Sequence, residues 1–234
     1  MSFQAPKEVK VALAQQVEIK ELALNLFDKN KGFVFFIRHG QTDWNLLRKM
    51  QGRDEIPLNE TGINQAIDAS NGIYNALLET GFKFDLVITS PLGRAYQTGK
   101  IIADKIGCEC IKDERVTERD FGVLSGCEYS PQSKAITEDV SIEGLEPLND
   151  VLERVNSFIH DKVKIGKRIL VVSHGSVTKI FALQAEKSPS VTNLNELLKN
   201  CHMLLYSYDG EKIRMEGYNI SPHGLGEFIA NNSK

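Results

Sequence analysis

Phe33-Val34-Phe35-Phe36-Ile37-Arg38-His39-Gly40 is the stretch on which the fold of this chain turns. Five apolar residues in a row, β-branched and aromatic and bounded by Gly32 and Gly40, predict a short strand buried on both faces. That strand ends on an arginine and a histidine, and Gly40 then lets the backbone turn sharply. In an open α/β sheet, ligands bind at the carboxyl ends of parallel strands. The pattern returns at Ile169-Leu170-Val171-Val172-Ser173-His174-Gly175, a second buried-type strand ending in His-Gly. Two strands that each bring a histidine to one edge imply a single site with two imidazoles.

Working outward, Gln41-Thr42-Asp43-Trp44-Asn45 is expected to turn and open a short helix. Gln51-Gly52-Arg53-Asp54 follows as a loop, and Asn59 is placed as the N-cap of a helix running to about Leu78. A strand over 85–90 leads through Pro91, favourable in a first helical turn, into a helix carrying Arg94 and Thr98 and ended by Gly107. Cys108 to Ile111 reads as a third, short strand, and 116–122 as an irregular loop of mixed charge. Residues 123–146 read as surface loop, Pro147 to about Val163 as an amphipathic helix, and 176–185 as the helix after the second His-Gly strand. Residues 203–208 and 212–218, joined through Asp209-Gly210, form a hairpin pattern. Strands alternating with helices, with a late antiparallel addition, make an α/β domain over 33–234. Before it, 1–32 form an N-terminal helical extension with two apolar stripes: Leu13, Val17, Leu24 and Phe27 on one face, Ile19, Leu22 and Leu26 opposite. This leaves two readings open, a helix packed on the domain and a dimer or partner surface.

Whole-chain properties narrow the function classes. A length of 234 residues, 41% hydrophobic and 25% charged, suits a globular α/β protein. The net charge of −3 provides no general field for nucleic acid or an anionic membrane. The amino terminus has no signal-peptide core and no run approaches membrane-spanning length, so a cytoplasmic location is expected. Cys108, Cys110, Cys127 and Cys201 lack paired spacing and read as reduced thiols. A homo-oligomer is left open.

Arg38, His39, Arg94 and His174 each fall at, or within a turn of, the carboxyl end of a predicted strand. If these strands are neighbours, two guanidinium forks and two imidazoles meet in one pocket suited to a tetrahedral dianion. Asn45 adds a polar donor, and the backbone N–H groups of Gly40 and Gly175 can join an anion nest. Glu118 supplies a carboxylic acid for a leaving alkoxide. A zinc site is the rival for two histidines and a glutamate, but the arginines at the same strand ends would repel a divalent cation. His160 and His202 read as structural, and for His223 an approach to the site is left open as the minor reading.

Arg38-His39-Gly40-Gln41-Thr42-Asp43-Trp44-Asn45 resembles the RHG signature of the histidine phosphatase superfamily, in its phosphoglycerate-mutase-like branch. In the family's order follow Leu58-Asn59-Glu60-Thr61-Gly62, Ser90-Pro91-Leu92-Gly93-Arg94, Glu118-Arg119-Asp120-Phe121-Gly122, Gly144-Leu145-Glu146-Pro147 and Ser173-His174-Gly175. The resemblance implies a mixed, mainly parallel central sheet flanked by helices on both faces. It implies His39 as a nucleophile forming a phosphohistidine, with Arg38, Arg94, Asn45 and His174 holding the phosphoryl oxygens. Glu118 would protonate the leaving oxygen and then activate water. Gln51, Gly52 and Gly175 are the further expected substrate contacts. Fixed cations neutralise the equatorial oxygens, so neither a metal nor a cofactor is expected, and the partner is a small phosphomonoester.

Cofactor-dependent mutases of this family carry a longer, basic insertion between acid and second histidine. Here residues 123–146 hold one basic residue, Lys134, against Glu128, Glu138, Asp139, Glu143 and Glu146. That balance favours a phosphatase over a phosphoglycerate mutase, with a non-catalytic phospho-ligand-binding relative as the reading from another class.

Overall fold

In the computed structural model of the protein, residues 30–129, 142–189, 191 and 198–231 are described. The expected N-terminal helix, but for its last residues, and the middle of the 123–146 loop lie outside them.

Strand β1 (Gly32–Arg38) has neighbours on both edges and helices over both faces, which is why its apolar run is unbroken. Residues 33–37 are at most 4% exposed. Alternate side chains point to opposite sides of a strand, so Phe33, Phe35 and Ile37 enter one core and Val34 and Phe36 the other. The first core is closed by α2 (Glu60–Thr80), α3 (Gly93–Ile106) and α6 (Leu225–Asn231), through residues such as Ile73, Ile102 and Ile229. The second is closed by α4 (Leu148–Lys162) and α5 (Gly175–Gln184), through Val155, Phe158 and Phe181. Phe36 meets Phe158, Phe181 and Tyr206 at ring-centroid distances of 6.4, 5.9 and 5.9 Å. Truncating such a side chain costs about 3–5 kcal/mol.

The remaining elements are a short helix α1 (Asp43–Leu46) and strands β2 (Leu86–Thr89), β3 (Cys110–Lys112), β4 (Arg168–Ser173), β5 (Glu186–Lys187), β6 (Met203–Tyr208) and β7 (Ile213–Ile220). The sheet order is β3-β2-β4-β1-β6-β7-β5. Strands β3, β2, β4 and β1 are mutually parallel, β6 is antiparallel to β1 and β7, and β5 is parallel to β7. Only β6 is reversed among the described strands, so the carboxyl ends of the others share one edge. The architecture is therefore the mixed, mainly parallel α/β sheet with helices on both faces.

Three details depart from the sequence expectations. The antiparallel hairpin joins the sheet through β6, which pairs directly with β1 and completes the burial of the central strand, and its second strand runs on to Ile220 rather than 218. The third strand begins two residues late, at Cys110, and the two-residue β5 had no signal. Helix α2 runs to Thr80, where Gly81 takes a left-handed conformation (φ 72°) and ends it. Asn59 does cap this helix, its side chain accepting from Gly62 N at 2.9 Å. The four cysteines are free thiols. No helix among the described residues is long and apolar enough to cross a membrane.

Candidate active site

Strands β1 and β4 lie side by side with Arg38 opposite Ser173, which sets the following histidines next to each other. The rings of His39 and His174 are 5.1 Å apart, centroid to centroid, and tilted by 59°. Both are buried, at 2% and 0% exposure. His39 Nδ1 is 2.7 Å from Gly40 O. A carbonyl can only accept, so Nδ1 carries the proton and Nε2 keeps its lone pair. The His39 pKa lies well below 6.5, first because burial disfavours the cation, then because Arg94 and Arg38 repel it. The same causes, with His39 and Arg154 added, hold His174 well below its ordinary value. Both rings are neutral near pH 7.

Arg38 anchors through Nη1 to Leu198 O at 2.7 Å. Arg94, in the first turn of α3, is fully buried and donates to Asp54 O and Gly52 O, each at 2.7 Å. Burial is the main cause lowering both guanidinium pKa values, and Glu118 offsets part of it. Five of the six buried side-chain polar atoms without a partner among the described residues lie here: Arg38 Nε, Arg94 Nε, His174 Nδ1 and Nε2, and Thr117 Oγ1. Leaving such groups unpaired is costly. A tetrahedral anion supplies acceptors for the two guanidinium Nε–H groups and for the one N–H that a neutral His174 ring carries.

Glu118 is 7% exposed and reaches the amino end of α5. Its carboxylate accepts from Arg119 N at 2.9 Å and from Ser176 N and Val177 N at 3.3 Å each. Burial raises its pKa above the ordinary carboxylate value, while these amides and Arg94 pull the other way. A carboxyl so placed can be protonated at higher pH than a free one, as a proton donor requires.

The other expected contacts divide. Asn45 Oδ1 accepts from Thr42 N and from Asn200 Nδ2, so its amide is oriented from two sides. Gln51 and Gly52 reach the site through other groups: Gln51 Oε1 accepts from Thr42 Oγ1, and Gly52 holds Arg94. The N–H of Gly40 is already donated to Thr98 Oγ1 at 3.1 Å, which removes it from the expected anion nest. Gly175 begins α5 beside Arg38. The ring of His223 is turned to Asp68, 3.0 Å away on exposed α2 surface. His160 and His202 bond Tyr208 and Asn219, as structural residues.

Asn200 escaped the sequence reading although its Nδ2 also bonds His39 O at 2.8 Å. It comes from the turn before β6, far along the chain, and no spacing pattern links it to His39. Arg154 had no signal for a similar reason: on α4 it reads as one more charge on a polar face, yet it donates to the carbonyls of Arg115 and Thr117, beside Glu118. Among the described residues, no three His, Cys, Asp or Glu side chains are grouped to hold a metal ion.

Known proteins resemble this chain in sequence and in fold. The sequence model of the histidine phosphatase superfamily (branch 1) matches residues 34–221. The uncharacterized phosphatase PhoE of Bacillus subtilis (strain 168) is 33% identical over 199 residues, covering 84% of this chain and 98% of its own. A 2,3-bisphosphoglycerate-dependent phosphoglycerate mutase of Rhizobium etli (strain CIAT 652) is 35% identical over 173 residues, covering 67% and 80%. Among solved structures, a phosphoglycerate mutase from Bacillus anthracis (strain Sterne) superposes with a TM-score of 0.68 at 18% identity, covering 89% of this chain and 99% of its own. The mycobacterial glucosyl-3-phosphoglycerate phosphatase, in complex with VO3, gives 0.65 at 23% identity, covering 80% and 98%. These two likenesses establish the fold. By sequence along most of its length, this chain belongs to the histidine phosphatase superfamily, branch 1.

Proposed function

We propose that the chain is a hydrolase of small phosphomonoesters that works through a phosphohistidine on Nε2 of His39, without a metal. The observation that carries this reading is the tether of His39 Nδ1 to Gly40 O, which reserves Nε2 as a lone pair, beside buried Arg38, Arg94 and His174 nitrogens without partners. In the first step the Nε2 lone pair bonds to phosphorus, the P–O bond to the leaving group breaks, and the departing oxygen takes the Glu118 proton. In the second step water bonds to phosphorus and gives its proton to the Glu118 carboxylate. The P–N bond breaks, its electron pair returns to Nε2, and Glu118 is protonated again. Fixed guanidinium and imidazole donors around the phosphoryl oxygens act only by position and charge, the main requirement of phosphoryl transfer.

Hydrolysis is favoured over mutase action by the charge around the mouth. Arg53, which follows Gly52, is paired with Glu146 at 3.2 Å and lies 4.0 Å from Asp120, so this guanidinium is already engaged by carboxylates. The sequence over 123–146 is acidic on balance. The test is phosphate release from a panel of phosphomonoesters with a chelator present, with 3-phosphoglycerate also followed for conversion to 2-phosphoglycerate. Release that survives chelation, with acid-labile phosphate trapped on the protein, is the expected result. Isomerisation without release would make the chain a mutase. Neither activity in a folded sample would leave a phospho-ligand-binding protein.

A further inference from the structure

Glu118 has little of its own to hold it. The strongest hydrogen bond to its carboxylate, from Arg119 N at 2.9 Å, comes from the same loop and moves with it. Its two bonds to α5 are long, at 3.3 Å each. The loop backbone must therefore be fixed from elsewhere if the proton is to meet a leaving oxygen.

Arg154 on α4 does this. Its Nη1 donates to Arg115 O and Thr117 O, each at 2.7 Å, and its Nη2 donates to Glu118 O at 3.3 Å. The intervening carbonyl, Val116 O, is taken by Ser173 Oγ of β4 at 2.8 Å. Four successive carbonyls ending at Glu118 are thus held, three of them by one guanidinium. The fork is itself aimed by Glu146, which accepts from Arg154 Nε at 2.8 Å and from Nη2 at 3.1 Å. Glu146 also binds the far side of the loop: Oε2 accepts from Asp120 N at 3.0 Å, and its backbone O from Arg119 Nε at 2.7 Å. Burial alone would push the Glu146 carboxyl up, but Arg154 and the Asp120 amide hold it below its ordinary value, so the pair is ionised. Arg154 and Glu146 side chains are only 15% and 11% exposed. Lysine, with one compact ammonium, cannot reproduce this fork.

We infer that Arg154, oriented by Glu146, is the positioning residue for Glu118, and that it sets how well the protein expels poor leaving groups. The inference rests on the hydrolase reading above. A misplaced proton donor slows an ester whose leaving oxygen is strongly basic and spares one that departs as a stable anion. The experiment compares wild type, Arg154→Ala and Arg154→Lys on an alkyl phosphate and on p-nitrophenyl phosphate, reading kcat/KM for each. Amide exchange at Ser176, Val177 and Arg119, the donors to the Glu118 carboxylate, is measured on the same samples. Arg154→Ala is expected to lose about 30-fold or more on the alkyl ester and about 3-fold or less on the aryl one, the first being a part of the roughly 10²–10⁴-fold that a general acid contributes, since the acid is displaced rather than removed. Arg154→Lys should show the same pattern more weakly, and serves alone if the alanine variant does not fold. Exchange at the three amides should rise in either variant. Equal losses on both esters with unchanged exchange would overturn the inference and leave Arg154 a structural ion pair. A wild type inactive on both esters would strike the hydrolase reading alone, and the exchange result would then decide the positioning by itself.

Discussion

The ends of β1 and β4 carry the same two letters, His-Gly, at neighbouring positions of one sheet, yet the two histidines are held differently. His39 is tethered through Nδ1 to the next carbonyl, and Gly40 passes into a loop pressed against α2. His174 has no partner on either nitrogen among the described residues, and its glycine starts α5. A Cβ on Gly40 would lie 2.3 Å from Gly62 O, whereas one on Gly175 would meet nothing nearer than Arg38 Nε at 3.5 Å. The lesson is that the backbone after each histidine decides its chemistry. A ring locked to one tautomer with a directed lone pair suits attack, and an unbonded ring beside a helix start suits donation to a bound oxygen.

The strongest way to break the contrast is to remove each ring. His39→Ala is expected to lower kcat by about 10⁴-fold or more and to abolish trapped phosphoprotein, as loss of a nucleophile does. His174→Ala should cost about 10²–10³-fold, the scale for one donor to a developing charge, and still form phosphoprotein slowly. Equal losses with no phosphoprotein in either variant would erase the distinction. Next come the glycines. Gly40→Ala should destabilise by about 1–3 kcal/mol, because backbone rather than a flexible side chain must yield. Gly175→Ala should fold as well as wild type or gain about 0.4–1 kcal/mol, while its methyl group beside Arg38 Nε raises KM. Urea unfolding with a parallel activity assay checks both, and similar stability losses would refute the packing difference.

The smallest effect concerns protons, where the two histidines should behave alike. Each folded pKa lies well below 6.5, so below that pH the unfolded chain takes protons that the native one refuses. The stability contributed by each neutral ring is therefore present above about pH 6.5 and lost as pH falls through it. Glu118 works in the opposite sense: raised above its ordinary 4.5, it favours the folded state at low pH and loses that contribution as pH rises through its folded pKa. Replacing either histidine by asparagine should reduce the stability lost between pH 7 and 5.5 by about 1 kcal/mol. Unchanged pH dependence in both variants would mean the rings are charged or exposed in the native protein.

Much of this candidate site is legible in the sequence. His39, Arg38, Arg94, Glu118 and His174 stand out because each follows a buried strand or occupies a motif of ordered residues, and strand ends in parallel sheets converge. The cap at Asn59 was equally plain, since an Asn before a helical run satisfies an otherwise unpaired N–H. Hidden from that reading were the contacts made by backbone carbonyls and amides. Thr98 removes Gly40 N–H from ligand binding, Gly52 and Asp54 carbonyls grip Arg94, and Asn200 reaches back to His39 O. Every residue has a carbonyl, so nothing in the residue types marks which ones will be used.

By itself, the sequence determined the buried central strand, the α/β class and which basic, imidazole and carboxyl groups gather at one edge of the sheet. Unbroken apolar runs, helical periodicity and charged strand ends are local chemistry, and local chemistry is written in order along the chain. Only the tertiary structure decided that β6 lies beside β1, that Gly40 is packed against Gly62, and that Arg154 holds the loop of Glu118. Those outcomes depend on segments distant in sequence meeting at hydrogen-bond or van der Waals distance, and that is set by how the two cores close over the sheet.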